Sequence, residues 1–420
     1  MRIVLIFTLL VYCFVFGILD REIGGFQYGL MIEGLILTVV AAVLVKTSAK
    51  EYTEINKDLF YLLLVWFVIS LLQVLNPGAS LMGWVSEIRS TALYPLLMVM
   101  LGLLIFNQRR HLDLFLVLII GLSTLASLNG IKQLYFGPSS GEQAFLNGGG
   151  AITHILFGRL RVFSFYSDAG QFGASQAQLG LIALILGFGP FRKWTKCIFL
   201  SCSGLMLYGM LISGTRGALF ALVIGGFVAL VLSKNLKVLL LGGLVGILFL
   251  SFLKFTYIGN SNYQIYRLRS AVNPNDPSLN VRFNTQKLLR EYMSSRPFGG
   301  GLGVIGHNGI LYNSDKFLST VPPDSYFVKV WAMYGIVGFT IWLAIMLYVF
   351  GKCCGIVWRL EDKEIKIKMI ALTSGFAGIL FCSYGNEVIN SMPSSIVVYF
   401  SWVFIYKSPQ LQGTGQSFII

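Results

Sequence analysis

Residues 197–232 read CIFLSCSGLMLYGMLISGTRGALFALVIGGFVALVL, two long apolar stretches joined by Ser213-Gly-Thr-Arg216. Such a short link places Arg216 at a membrane boundary, at the start of a transmembrane helix. A helix N-terminus is the positive end of the helix dipole, so a cation there is disfavoured unless an anion joins it. The stretch predicts a site for an anionic, lipid-linked substrate. The alternative is an interfacial arginine that extends to lipid headgroups.

Composition extends this pattern to the whole chain. The 420 residues are 55% hydrophobic and 12% charged, and the mean hydropathy is +0.74. These values indicate a polytopic membrane protein, and continuous rather than alternating apolar runs favour helices over a barrel. The fold class is therefore all-α, with about 12 transmembrane helices. The predicted segments lie near 3–19, 28–45, 59–75, 90–106, 112–129, 172–190, 196–213, 216–232, 236–253, 325–350, 367–383 and 391–406.

The charges of the loops predict how the helices are oriented across the membrane. With the N-terminus inside, lysine-rich short loops fall on the cytoplasmic side, which agrees with the positive-inside rule and places both termini in the cytoplasm. Arginine outnumbers lysine in the outer segments. Bidentate binding of phosphate explains such an excess, and chance composition of the loops is the alternative. The net charge of +14 is explained by loops that set the orientation in the membrane, and it does not indicate binding of nucleic acid.

The chain divides into six parts by this threading. A large outer loop with short surface helices follows helix 9, and a smaller outer loop follows helix 5. The six cysteines lie outside the long outer loops, no Cys/His cluster has metal spacing, and no Walker motif is present, so neither metal nor cofactor is expected. The parts are 1–129 (helices 1–5), 130–171 (outer loop), 172–253 (helices 6–9), 254–324 (large periplasmic loop), 325–406 (helices 10–12) and 407–420 (cytoplasmic tail).

The large outer loop carries a predicted helix over 280–296 that ends before Pro297. Arg282 and Gln286 share one face of this helix, and Arg290 is offset from them. The helix is expected to lie on the membrane surface and cap the bundle. The glycine-rich segment 298–309 after it is expected to let backbone approach a ligand closely.

Asp324 ends the loop, at or near the N-cap of helix 10. Asp is a favoured N-cap, which contributes about 1 kcal/mol. Two roles remain open for Asp324: a helix cap only, or a helix cap that also takes part in the reaction. Arg89 precedes the predicted helix 4 on the outer side and repeats the arrangement of Arg216.

Three ordered segments resemble the O-antigen ligase and polymerase family of bacterial envelope glycan assembly. The first is Ser213-Gly-Thr-Arg-Gly217, similar to the Ser-x-Ser-Arg-Gly helix start of the family. The second runs from Arg282 through Arg296-Pro-Phe-Gly-Gly-Gly-Leu-Gly303, and the third is Asp324-Ser-Tyr followed by Gly335-Ile-Val-Gly338. Arg161-Val-Phe-Ser-Phe-Tyr-Ser-Asp168 also looks like a family segment.

The resemblance implies transfer of a glycan from an undecaprenyl-pyrophosphate carrier at the periplasmic face of the bacterial inner membrane. The family reaction is inverting and independent of metal. Family ligases usually carry a histidine where this chain has Asp324-Ser325, which favours a polymerase over a ligase that joins glycan to lipid A core. The partners implied are the lipid-linked glycan, membrane lipid, a chain-length regulator and a flippase.

Arginines are expected to stabilise the leaving pyrophosphate: Arg216 and Arg282 first, with Arg161 and Arg89 behind them. Asp324 is the first candidate for the base that activates the acceptor hydroxyl. Further candidates for the base or for substrate contact are His307, His154, Glu387, Glu33, Arg290 and Tyr326.

Two other protein classes compete. A 12-helix transporter or flippase should show related halves and polar groups near the bilayer midplane. In this chain the polar residues gather at the outer boundary instead. A peptidoglycan-polymerase type of enzyme fits the order of the motifs less well.

Overall fold

The computed structural model describes residues 1–25, 28–46, 51–156, 158–273, 277–323 and 325–412, apart from the side chains of 46, 277–279 and 281. The described chain is almost entirely helical, with one antiparallel pair of two-residue strands, β1 (Ile155–Leu156) and β2 (Arg159–Leu160). The helices are α1 (Arg2–Glu22), α2 (Tyr28–Lys46), α3 (Asp58–Leu72), α4 (Leu81–Ile88), α5 (Tyr94–Ile105), α6 (Arg109–Tyr135), α7 (Ser140–Phe145), α8 (Ala151–His154), α9 (Ala169–Gly187), α10 (Lys193–Ile212), α11 (Arg216–Leu232), α12 (Leu236–Phe255), α13 (Tyr263–Ser270), α14 (Pro277–Met293), α15 (Gly306–Tyr312), α16 (Tyr326–Arg359), α17 (Lys363–Cys382) and α18 (Ser394–Leu411).

The structure confirms an all-α polytopic membrane protein. Within the described residues, ten helical segments are long and apolar enough to cross a membrane, and one of them joins α4 and α5 through a π-helical turn. α11 is a shorter apolar helix, and α18 coincides with the last segment predicted from the sequence. The helix predicted near 90–106 begins earlier than expected, at Leu81.

The centre of the bundle is formed by α9, α17 and α18, whose residues are mostly buried. α9 packs against α10 and α17. Its glycines and alanines let neighbours approach closely, as small residues do between membrane helices. A glutamine adds a buried polar tie to α6: Gln176 lies 2.6 Å from the Ser127 hydroxyl and donates to Ser123 Oγ at 3.0 Å.

α16 is broken at Gly335, where φ is +68° and ψ is −171°. The segment after Pro297 docks onto this break through backbone hydrogen bonds. Gly300 N–H donates to the Ala332 carbonyl at 2.8 Å, and Val337 N–H donates to the Pro297 carbonyl at 3.2 Å. A Cβ at Gly335 would lie 2.1 Å from the Pro297 carbonyl oxygen. The glycine-rich segment therefore approaches protein backbone here.

One end of the bundle, where α10 ends and α11 begins, is called the cleft end. The opposite end is held by ion pairs between helices. Lys368 Nζ lies 2.5 Å from Asp113 Oδ1, and both side chains are almost fully buried. Arg109 pairs with Asp362, which joins α6 to the start of α17. Charged groups so far from water are stable only when they are paired.

Candidate functional site

A cleft of about 280 Å³ opens at the cleft end. Arg216, the first residue of α11, and Arg282 of α14 both line it. Two arginines in one cleft supply paired planar donors, the geometry that binds phosphate oxygens. The other lining residues are Gly217, Phe220, Ser270, Ala271, Asn273, Phe283, Gln286, Phe381, Cys382, Tyr384 and Gly385.

Arg282 is oriented by the link between α17 and α18. Its Nη2 donates to the Gly385 carbonyl oxygen at 2.9 Å. α14 itself packs against α16, so the arginine reaches across the cleft from a helix that lies over the bundle. The predicted helix over 280–296 thus exists as α14, and it delivers Arg282 to the same cleft as Arg216.

The turn before Arg216 is fixed by its own hydroxyl groups. Thr215 N–H donates to Ser213 Oγ at 3.1 Å, and Thr215 Oγ1 donates to the Ala169 carbonyl at 2.7 Å. Gly214 has φ +62°, a conformation that glycine adopts without strain. The turn therefore ties the start of α11 to the start of α9 and sets where the Arg216 backbone lies.

Two further arginines surround this turn. Arg161 Nε donates to the Ser213 carbonyl at 3.3 Å, and Arg267 Nη2 donates to the Gly214 carbonyl at 3.3 Å. Burial lowers the pKa of Arg161, and the positive charge of Arg267 lowers that pKa further. The concentration of positive charge around the turn favours an anion beside it.

A buried network of ionisable groups lies next to the cleft; the sequence named Glu387 as a candidate but missed its partners, Lys329 and Glu87. Lys329 Nζ, one turn into α16, is 2.9 Å from Glu87 Oε1 and 3.4 Å from Glu387 Oε1. Asn308 of α15 donates to Glu87 Oε2 at 2.8 Å. A sequence signal did exist, because a glutamate and a lysine inside apolar helices are costly unless they pair.

The link that follows α17 joins the network to the cleft. Gly385 accepts the hydrogen bond of Arg282, and Glu387 lies against Lys329 two residues later. Between them, the Asn386 amide packs on Gly217: a Cβ at Gly217 would come within 2.2 Å of Asn386 Nδ2. The same link thus forms a wall of the cleft and carries a carboxylate.

Arg89 does not lie at a helix N-terminus, so that part of the sequence interpretation is wrong. It begins the π-helical turn between α4 and α5. Its Nη1 pairs with Glu33 Oε1 at 2.5 Å, and the Tyr94 hydroxyl donates to the same oxygen at 2.8 Å. The pair stabilises two charges within helices, and Glu33 is thereby engaged by protein groups.

Two other arginines at the cleft end donate hydrogen bonds to backbone carbonyl groups of the protein. Arg21 donates to the Tyr166 carbonyl at 2.8 Å and to the Ser164 carbonyl at 2.5 Å. Arg269 donates to the Ile258 carbonyl at 2.6 Å. Part of the arginine excess in the predicted outer segments therefore tethers loops to helices.

The remaining predicted residues lie in different places. His307 is exposed on α15, and Arg290 is exposed on α14. Tyr326 is buried, and its ring meets Trp342 edge to face at 5.5 Å between centroids. Asp324 lies outside the described residues.

His154 is buried and uses both ring nitrogens within the protein. Nδ1 lies 2.9 Å from the Gly150 carbonyl, and Nε2 lies 3.3 Å from the Ala169 N–H at the start of α9. Burial lowers the pKa of its imidazole. These contacts support the N-terminus of α9 and hold the preceding segment in place.

Comparison with protein families places the central part of this chain. Residues 202–343 match the family described as O-antigen ligase. The match runs from within α10 to within α16 and includes Arg216, Arg282, Lys329 and the break at Gly335. It confirms the resemblance to the O-antigen ligase and polymerase family. No curated protein matches the chain.

Proposed function

We propose that this membrane protein transfers an oligosaccharide from an undecaprenyl-pyrophosphate carrier to a sugar hydroxyl, as a glycan polymerase of the bacterial inner membrane. The cleft end faces the periplasm in this proposal, and both chain termini face the cytoplasm. The reaction inverts the configuration of the donor sugar and requires no metal.

One observation carries the proposal: Arg216 and Arg282, from distant parts of the chain, line one cleft. When the glycosyl bond to phosphate breaks, negative charge grows on the leaving pyrophosphate. Arginines held in advance stabilise that charge, and removing one such donor typically lowers the rate by about 100-fold to 1,000-fold. Phe220, Phe283 and Phe381 line the same cleft and offer an apolar surface for the lipid.

The family match supports the class of reaction. Its description as O-antigen ligase also favours a second candidate, transfer of the finished glycan to lipid A core. The two reactions use the same donor chemistry and differ in the acceptor. The arginine cleft fits either of them.

The test uses purified full-length protein in detergent with a synthetic undecaprenyl-pyrophosphate oligosaccharide, EDTA and no nucleotide. A ladder of repeat-unit products is expected from a polymerase, whereas transfer only to added lipid A core identifies a ligase. Activity that appears only when divalent metal replaces EDTA overturns the metal-independent reaction. If no product forms but labelled lipid crosses reconstituted bilayers, a flippase replaces both.

A further inference from the structure

The buried network beside the cleft contains one carboxylate more than is needed to neutralise its single lysine. Lys329 would be neutralised by Glu87 alone, which lies 2.9 Å away and is almost fully buried. A second carboxylate, Glu387, nevertheless faces the same ammonium at 3.4 Å. Its side chain is 27% exposed, in contrast to Glu87. One carboxylate thus serves the buried pair, and the other reaches the boundary of the protein.

Glu387 also has the right neighbours for chemistry in the cleft. It follows Gly385, which lines the cleft and accepts from Arg282, and Asn386, which packs on Gly217 beside Arg216. Glu387 Oε1 is buried against the Lys329 ammonium, 3.4 Å away, while the side chain as a whole is 27% exposed. A partly exposed carboxylate that an ammonium holds beside a phosphate-binding cleft is placed to accept a proton.

We infer that Glu387 is the general base of the transfer reaction and that Lys329 and Glu87 position it; this inference rests on the proposed function. The acceptor hydroxyl gives its proton to the Glu387 carboxylate while its oxygen forms a bond to the anomeric carbon. The bond from that carbon to the phosphate oxygen breaks, and its electron pair leaves with the lipid pyrophosphate. The proton then passes to water, so atoms and charge balance.

Electrostatics suit Glu387 to this role. Burial raises the pKa of Glu387, the Lys329 ammonium opposes that rise, and the negative charges of Glu87 and Asp168 add to it, which leaves the pKa at about 7. A base works best when its pKa lies near the operating pH. The deprotonated form is the active one, so the rate should fall as pH decreases through about 7.

The first test compares Glu387→Gln with Glu291→Gln, a change at an exposed carboxylate on α14. Glu387→Gln is expected to lower kcat by about 100-fold or more, since a general base contributes about 100-fold to 10,000-fold, while binding of the labelled donor persists. Glu291→Gln should retain wild-type kcat. If the wild type is active and the Glu387→Gln variant is equally active, Glu387 is not the general base, and the proposed function still stands. An inactive wild type would instead count against the proposed function.

The second test asks which carboxylate titrates. Glu87→Gln removes a negative charge that raises the pKa of Glu387, so the acidic limb of the kcat profile should move to lower pH. A purely structural role for Glu87 would leave that limb in place. Asp324→Asn is measured in parallel, because the sequence named Asp324 first. Loss of the acidic limb in Asp324→Asn, with the limb retained in Glu387→Gln, would assign the base to Asp324.

Discussion

Arg216 begins α11 and Arg282 lies in α14, yet both side chains line one cleft. Two arginines that line one cleft give it a positive potential, which favours binding of an anion. The Arg282 side chain donates to the Gly385 carbonyl, and Arg216 is the first residue of α11. The relationship is the basis for the proposed pyrophosphate site.

Loss of either cleft arginine should stop glycan transfer. Arg216→Ala and Arg282→Ala are expected to lower kcat by about 100-fold or more, because each removes a donor to the leaving group. Arg216→Lys and Arg282→Lys should also impair transfer, since lysine lacks the planar fork. Product formation from the synthetic donor measures the effect. Arg359→Lys, an exposed change at the opposite end, serves as the control, and normal rates in all four cleft variants would refute the phosphate site.

Gly335 should tolerate no side chain. Its backbone lies in a region that only glycine adopts readily, and a Cβ would meet the Pro297 carbonyl, so Gly335→Ala should destabilise the protein by about 1–3 kcal/mol. Gly351 is in the same helix with open space around it, and Gly351→Ala should leave stability equal or raise it by about 0.5–1 kcal/mol. Thermal unfolding in detergent compares the two variants. Equal melting temperatures would show that the break in α16 does not depend on Gly335.

The buried ion pair at the opposite end should be costly to break. Lys368→Met leaves Asp113 buried without the ammonium that faces it, which should cost about 3–5 kcal/mol. Lys363→Met, at an exposed site in the same helix, should have little effect. The double variant Lys368→Met with Asp113→Leu is expected to recover most of the stability, because the fully buried carboxylate is gone and the remaining partner of Lys368, Glu364, is 20% exposed. Thermal unfolding is the measurement, and a double variant no better than the single one would contradict the account.

Arg21 should hold the segment that carries Arg161. Its two hydrogen bonds to the Tyr166 and Ser164 carbonyls, and its guanidinium 4.9 Å from the Phe163 ring centroid, bind that segment to α1. Arg21→Met is expected to increase amide hydrogen exchange across residues 161–167 and to slow transfer. Arg192→Met, an exposed change outside the segment, should alter neither. Unchanged exchange in Arg21→Met would show that the segment is held by other contacts.

The sequence predicted the helices well because their cause is local. Apolar stretches such as 236–253 and 112–129 are long enough to span, and any backbone inside lipid must satisfy its own hydrogen bonds. The starts of α9 and α11 also follow from nearby residues: Asp168 caps α9 by accepting from Gln171 N–H, and Ser213 fixes the turn before Arg216.

Sequence reasoning did less well with partners that are distant along the chain. Arg89 shares the local pattern of Arg216, yet Glu33 of another helix neutralises it. The glycine run near 300 permits close approach, and the partner turned out to be the broken backbone of α16. Local patterns show that a group needs a partner but do not identify the partner.

The sequence by itself determined an all-α membrane bundle, the resemblance to O-antigen ligases and polymerases, and an arginine at the start of a helix, because hydrophobic length and helix dipoles act along the chain. Only the tertiary structure decided that Arg282 joins Arg216, and that Glu387 faces Lys329 and Glu87 beside their cleft. Those contacts unite segments far apart in sequence. They depend on how the helices pack, and no local periodicity encodes that packing.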